Sequence, residues 1–143
     1  MMRSAAALVL CLLWSGSVFA QDFPMFVQRS ALEHISKALC TPTEYCQPAT
    51  ESELQNPPFS EKTASEIVTA AIFSTMVNNC QLDYRVKVFL PFMSKLRQSG
   101  LYSEREIALA GMMHGNTMGL TSDRPEYQCT EQVKDRLDFA GVN

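Results

Sequence analysis

Two side chains on one predicted helix, residues 103–118, could bind a metal ion. His114 and Met118 lie four residues apart, and residues at this spacing share one face of an α-helix. Imidazole and thioether groups are suitable ligands for cuprous copper, so the pair is a candidate metal site. The competing interpretation is structural, because methionine fills irregular gaps in protein cores. The sequence favours the structural interpretation and predicts no cofactor.

Three glycines recur every four residues on the same helix. They are Gly111, Gly115 and Gly119, and each costs up to about 1 kcal/mol of helix stability relative to alanine. One explanation is close contact with a neighbouring helix, where a side chain would not fit. The other is a groove in which a ligand or a partner backbone lies against Gly111 and Gly115. The first explanation is favoured.

Catalytic chemistry has little support in the sequence. The chain has two histidines, His34 and His114, and contains no GxSxG, HExxH or phosphate-binding loop. Glu104 and Glu106 are paired carboxylates, but they fall in the first turn of a predicted helix, where the helix dipole favours acidic residues. We therefore expect a protein that is not an enzyme.

A polar segment between two predicted helices, residues 78–85, could recognise a partner. Tyr84 and Arg85 are candidate contact residues because tyrosine and arginine are enriched at binding hot spots. The alternative is helix capping with Asp83 as the N-cap residue, and this alternative is favoured.

The cysteines predict disulfide bonds and an oxidising compartment. Cys40, Cys46, Cys80 and Cys129 form an even set, which allows three pairings. Cys40 and Cys46 could close on each other across a short loop, and Cys80 would then pair with Cys129, but the crossed pairings stay open. A metal site is the weaker alternative because the chain has no CxxC motif.

The first twenty residues have the pattern of a secretory signal peptide. A basic start at Arg3 precedes an apolar run from Ala5 to Trp14, and Val18-Phe19-Ala20 supplies small residues before a cleavage site. The apolar run is short for a membrane span, which needs about 20 residues. We therefore expect cleavage after Ala20, leaving residues 21–143 in the periplasm or outside the cell.

Composition narrows the choice of partner. The chain has a formal net charge of −3, which becomes −4 when Arg3 is removed with the leader. An acidic protein of this kind is not expected to bind nucleic acid, which favours a basic face, or a membrane after cleavage. The oligomeric state is left open.

Apolar spacing predicts an all-α fold: a single small domain of four to five helices held by about two disulfides. Helices are predicted over about 24–40, 60–79, 83–99, 103–118 and 130–139. Ser60, Ser103 and Thr130 are the expected N-caps of the second, fourth and fifth helices, and Gly100 is the expected C-cap of the third. The second helix is expected to be central to the core. Residues 41–59 contain four prolines and are expected to form a long loop. In the third helix, Val86, Phe89, Leu90, Met93 and Leu96 are expected to face inward, and Pro91 should kink or divide it. In the last helix, Val133, Leu137 and Phe139 are expected inside.

Two functional hypotheses from different classes follow. The first is an exported helical module that binds another protein, and it predicts a rigid surface patch with few ionisable groups at its centre. The second is a small-ligand or copper carrier, and it predicts a pocket lined by Gly111, His114, Gly115 and Met118.

Overall fold

The computed structural model describes residues 18–35 and 47–141, and within these ranges every regular element is helical. The prediction of an all-α fold is therefore confirmed. The α-helices are α1 (Val18–His34), α2 (Glu51–Gln55), α3 (Glu61–Asn79), α4 (Leu90–Gln98), α5 (Glu104–Thr121) and α6 (Glu131–Phe139). A π-helical segment (Arg85–Phe89) precedes α4, and a 3₁₀ turn (Pro125–Tyr127) precedes α6. None of the described helices is long and apolar enough to cross a bilayer.

Helices α1, α3 and α5 pack on one another and form the main core. Its most deeply buried side chains come from all three helices. Examples are Leu32 from α1, Ile67 from α3, and Ile107 and Met113 from α5. Met93 and Leu96 of α4 close the core on one side. The apolar spacing on α3 correctly predicted that this helix is central.

The caps predicted for three helices are confirmed. Ser60, Ser103 and Thr130 each accept a hydrogen bond from the backbone N–H three residues later. At Ser103 the capping box is complete, because the Glu106 side chain accepts from the Ser103 backbone in return. These caps satisfy N–H groups that have no partner inside the helix.

The start of α1 differs from the prediction. The helix begins at Val18 and contains Pro24, whereas the sequence predicted a start near Pro24. A proline inside a helix lacks the N–H that would bond to the carbonyl four residues earlier, here that of Ala20. The helix spans the predicted cleavage site. In a chain beginning at Gln21, Pro24 would fall in the first turn, where no such bond is made.

Residues 47–59, predicted as loop, contain the short helix α2 and are fastened to α5 by an ion pair. Arg105 donates through Nε to Glu53 Oε1 at 2.7 Å and through Nη2 to Glu53 Oε2 at 3.0 Å. The Arg105 guanidinium lowers the pKa of the Glu53 carboxyl to about 2. At the far end, the Gln28 side chain exchanges two hydrogen bonds with the Phe59 backbone. Arg105 also donates through Nη1 to the Gln47 carbonyl at 3.0 Å, so the segment is held at both ends.

Pro91 changes the pitch of its helix without ending it. The π-helical segment runs directly into α4, and the Leu90 N–H donates to the Arg85 carbonyl five residues earlier. The wider turn accommodates a proline that cannot make the ordinary bond and whose ring would crowd the carbonyl of Lys87. The wider turn also shifts which side chains face the core. Val86 is 62% exposed and Leu90 is 52% exposed, so the prediction that they face inward was wrong.

A second, smaller core joins α6 to the end of α3. Val133 and Leu137 pack against Met76 and Val77, and a disulfide joins Cys80 to Cys129. This bond confirms one of the predicted disulfides. The candidates Cys40 and Cys46 lie outside the described residues, so their pairing stays a prediction. Phe139 is 96% exposed, and the expectation that it faces inward was wrong, because α6 contacts the core only through its first two turns.

The end of α3 is closed by a Schellman motif that has glutamine where glycine is usual. Gln81 has a φ of 59°, and the Leu82 N–H donates to the Val77 carbonyl at 3.0 Å. Side chains other than glycine cost about 1–2 kcal/mol in this left-handed conformation.

We expect Gln81→Gly to raise the free energy of unfolding by about 0.5–1 kcal/mol. The relief of left-handed strain outweighs the extra entropy that glycine gives the unfolded chain. Urea denaturation should show a higher midpoint with an unchanged slope. Gln81→Ala keeps a β-carbon and is the matched control; a gain of equal size in that variant would contradict the explanation.

Replacing both Cys80 and Cys129 with serine should lower the free energy of unfolding by about 2–4 kcal/mol. The double variant leaves Cys40 and Cys46 unchanged, whereas a reducing agent would also act on any bond between them. Because α6 has only two buried side chains, its amides should lose protection from hydrogen exchange before those of α3. Equal protection of α6 in the wild type and the variant would show that apolar packing alone holds this helix.

Candidate functional site

The predicted ligand His114 is enclosed between α3 and the π-helical segment. Only 2% of its surface is exposed, its Nε2 lies 3.0 Å from the Ser74 hydroxyl, and its ring centre lies 4.8 Å from that of Phe89. Burial lowers the pKa of His114 to about 4, because a charged imidazole would lose its hydration in the core. His114 is therefore a neutral, hydrogen-bonded core residue at neutral pH.

Met118, the second predicted copper ligand, is half-buried one turn further along α5. Among the described residues, no group of three or more histidine, cysteine, aspartate or glutamate side chains is placed to hold a metal ion. Copper binding at His114 and Met118 stays a prediction.

The glycines of α5 do not all lie against another helix. A β-carbon at Gly111 would be 3.9 Å from the Met93 methyl group, an ordinary contact. At Gly115 and Gly119 a β-carbon would meet nothing within 4 Å among the described residues. Among the described residues, the predicted close helix contact is therefore absent at these two positions.

Gly115 and Gly119 instead border an open groove of about 520 Å³ between α1 and α5. Its remaining lining residues are Ser30, His34, Asn116 and Leu120. Of the four residues predicted to line a ligand pocket, this groove contains only Gly115. Gly111 and Met118 are half-buried elsewhere on the helix, and His114 points into the core.

Tyr84 and Arg85, the predicted contact residues, lie at the start of the π-helical segment. Tyr84 is half-buried and packs on the smaller core, whereas Arg85 is exposed. Asp83 Oδ1 accepts from the Arg85 and Val86 backbone N–H groups at 3.0 and 3.2 Å. Asp83 therefore caps this helix, as the alternative interpretation of the segment expected. A role for Tyr84 and Arg85 in binding stays a prediction.

A second groove, which the sequence did not predict, lies between α3 and α4. We call it the α3–α4 groove, and its volume is about 510 Å³. It is lined by Lys62, Ser65, Glu66, Thr69, Ala70, Phe73, Val88, Phe92 and Lys95. The rings of Phe73 and Phe92 are half-buried, so each rests on the core and presents one side to the groove.

The π-helical segment explains why sequence periodicity missed this groove. Regular α-helical spacing places Val86 and Leu90 toward the core and Val88 and Phe92 outside that stripe. The wider turn before Pro91 turns Val88 and Phe92 toward α3 and exposes Val86 and Leu90. Pro91 was the only signal in the sequence that the spacing would change here.

Charge is distributed unevenly along the α3–α4 groove. Its ionisable side chains are Lys62 and Glu66 in the first two turns of α3 and Lys95 in the last turn of α4. The other end is formed by Phe73 and Val88, beside the short connection between the two helices. The groove therefore has an apolar centre, one apolar end and one charged end.

No protein-family model matches the chain, and neither a curated protein nor a solved structure matches it at a significant level. The grooves and their side chains are therefore the basis for a functional proposal.

We expect the stability of the protein to fall as the pH drops from 6.5 toward 4, by up to about 3 kcal/mol, because of His114. Its pKa is lower in the folded chain than the ordinary value of 6.5, so the unfolded state takes up a proton first. His114→Gln can keep a hydrogen bond to Ser74 but cannot titrate, and it should remove this part of the pH dependence. Urea denaturation at a series of pH values measures the effect.

The matched control is His34→Gln, at an exposed position on α1. It should retain the loss of stability at low pH. An unchanged pH dependence in the His114 variant would show that other groups cause it.

Proposed function

We propose that the protein is an exported helical interaction module that binds another protein through the α3–α4 groove. The observation that carries the proposal is the groove's composition, with Thr69, Ala70 and Phe92 at the centre, Phe73 and Val88 at one end, and ionisable groups confined to the other end. The centres of protein interfaces are similarly rich in aromatic residues and poor in charged ones. This composition matches the patch that the interaction hypothesis predicts.

A helix of the partner is the element that best fits the groove. Two neighbouring helices form its walls, and an amphipathic helix can lay its apolar face into such a depression. The two aromatic rings are already held by the core, so they lose little freedom on binding. The partner's apolar side chains would pack on these rings.

Two features support the proposal that the protein is exported to the periplasm or the extracellular space. The Cys80–Cys129 disulfide is typical of oxidising compartments. Cleavage after Ala20 would also place Pro24 in the first turn of α1, where proline is tolerated. Both agree with the signal pattern in residues 1–20.

A photo-crosslinking residue placed at Thr69 tests the proposal. Thr69 is exposed within the α3–α4 groove, and the exposed Glu33 on α1 provides a control position. In the native host, we expect position 69 to capture one protein that position 33 does not capture. An excess of unmodified protein should abolish this product.

A variant of the unmodified protein that is added as competitor provides the second control. Thr69→Arg fills the groove from an exposed helix position and should compete at least tenfold less well than the wild type, a difference of about 1.4 kcal/mol. Equal competition by this variant, or the same captured proteins at positions 69 and 33, would refute binding at this groove.

A further inference from the structure

The direction of the α3–α4 groove follows from the path of the chain. The short connection between α3 and the π-helical segment makes the two walls antiparallel, so Phe73 and Val88 belong to one end of the groove, and Lys62 and Lys95 belong to the other. Lys62 and Phe73 are eleven residues apart on α3, which separates the two ends of the groove by about 16 Å. This length corresponds to about three turns of a bound helix.

The charges at one end define what a bound helix must carry there. Lys62 and Lys95 approach this end from opposite walls and attract a carboxylate. Glu66 lies one turn further along α3, so the three ionisable groups leave this end with a net charge of +1, which favours one carboxylate rather than two. The rest of the lining carries no positive charge, so an acidic side chain placed there would lose hydration without gaining an ion pair.

The charge of the whole chain makes this local arrangement selective. With a formal net charge of −3, or −4 without the leader, the protein as a whole does not attract acidic partners. Screening limits this general repulsion to about 8–10 Å at physiological salt concentration. Recognition of an acid therefore depends on direct approach to Lys62 and Lys95.

We infer that the partner segment is an amphipathic helix with an acidic side chain at one end of its apolar face. The carboxylate lies between Lys62 and Lys95, and the apolar face covers Phe73 and Phe92. The position of the acid fixes the direction in which the helix lies in the groove. This inference rests on the proposed function and adds the chemistry of the partner.

A displayed library of amphipathic helical peptides of about 14 residues, roughly 20 Å long, tests the inference. The library is selected on the purified full-length protein, and each enriched peptide is retested on the Thr69→Arg variant to identify peptides that occupy the groove. We expect such peptides to carry aspartate or glutamate at one end of the apolar face, and changing that acid to its amide should weaken binding about fivefold to tenfold.

Variants of the protein then locate the charge contact. The double variant Lys62→Ala with Lys95→Ala should weaken binding of the acidic peptide by the same factor and leave binding of its amide counterpart unchanged. The matched control is Lys134→Ala with Arg136→Ala, two exposed changes on α6 outside the groove, which should affect neither peptide.

The possible failures are distinguishable. Enriched peptides that need an open groove but show no preference for an acid would overturn the partner chemistry and leave the proposed function standing. A selection in which every enriched peptide binds the Thr69→Arg variant as well as the wild type would overturn both. If the control pair of substitutions weakened binding of the acidic peptide as much as the lysine pair did, the acid preference would be a general charge effect, and this result would also overturn the inference.

Discussion

The contact between α3 and α5 is the constraint on which the remaining structure depends, and polar side chains run through it. Ser74 meets His114, and the hydroxyl groups of Thr75 and Thr121 lie 2.9 Å apart inside the core. Such pairs contribute little net stability, but a buried hydroxyl without a partner is costly. Sliding or rotating one helix against the other would break both pairs together. The polar pairs therefore favour a single alignment where apolar side chains alone would tolerate several.

The position of α4 follows from this alignment and from Pro91. Phe89 packs on the ring of His114, so the π-helical segment is located by the same buried histidine that Ser74 holds. The wider turn then presents Val88 and Phe92 to α3 and creates the groove. The site and the core are therefore linked through one imidazole. A residue that first suggested metal chemistry thus supports one wall of the α3–α4 groove.

The parts of this fold that depend on local chemistry could be predicted from the sequence. The caps at Ser60, Ser103 and Thr130, the turn at Gly100 and the central place of α3 each follow from a few neighbouring residues. The groove could not be predicted, because its lining depends on how a π-helical turn rotates one helix against another. The exposed glycines of α5 were misinterpreted for a related reason, since spacing along one helix does not reveal which neighbour lies against it.

The Cys80–Cys129 bond also determines how the chain would respond to mechanical force. The bond joins residues separated by 49 positions, and the covalent ring that it closes contains the π-helical segment, α4 and α5. Tension applied to the two ends of the chain would pass from Cys80 to Cys129 through the sulfur atoms and bypass everything between them. Helix α3 would carry the load, whereas α4 and α5 would be shielded from it. The two walls of the α3–α4 groove therefore differ in mechanical resistance.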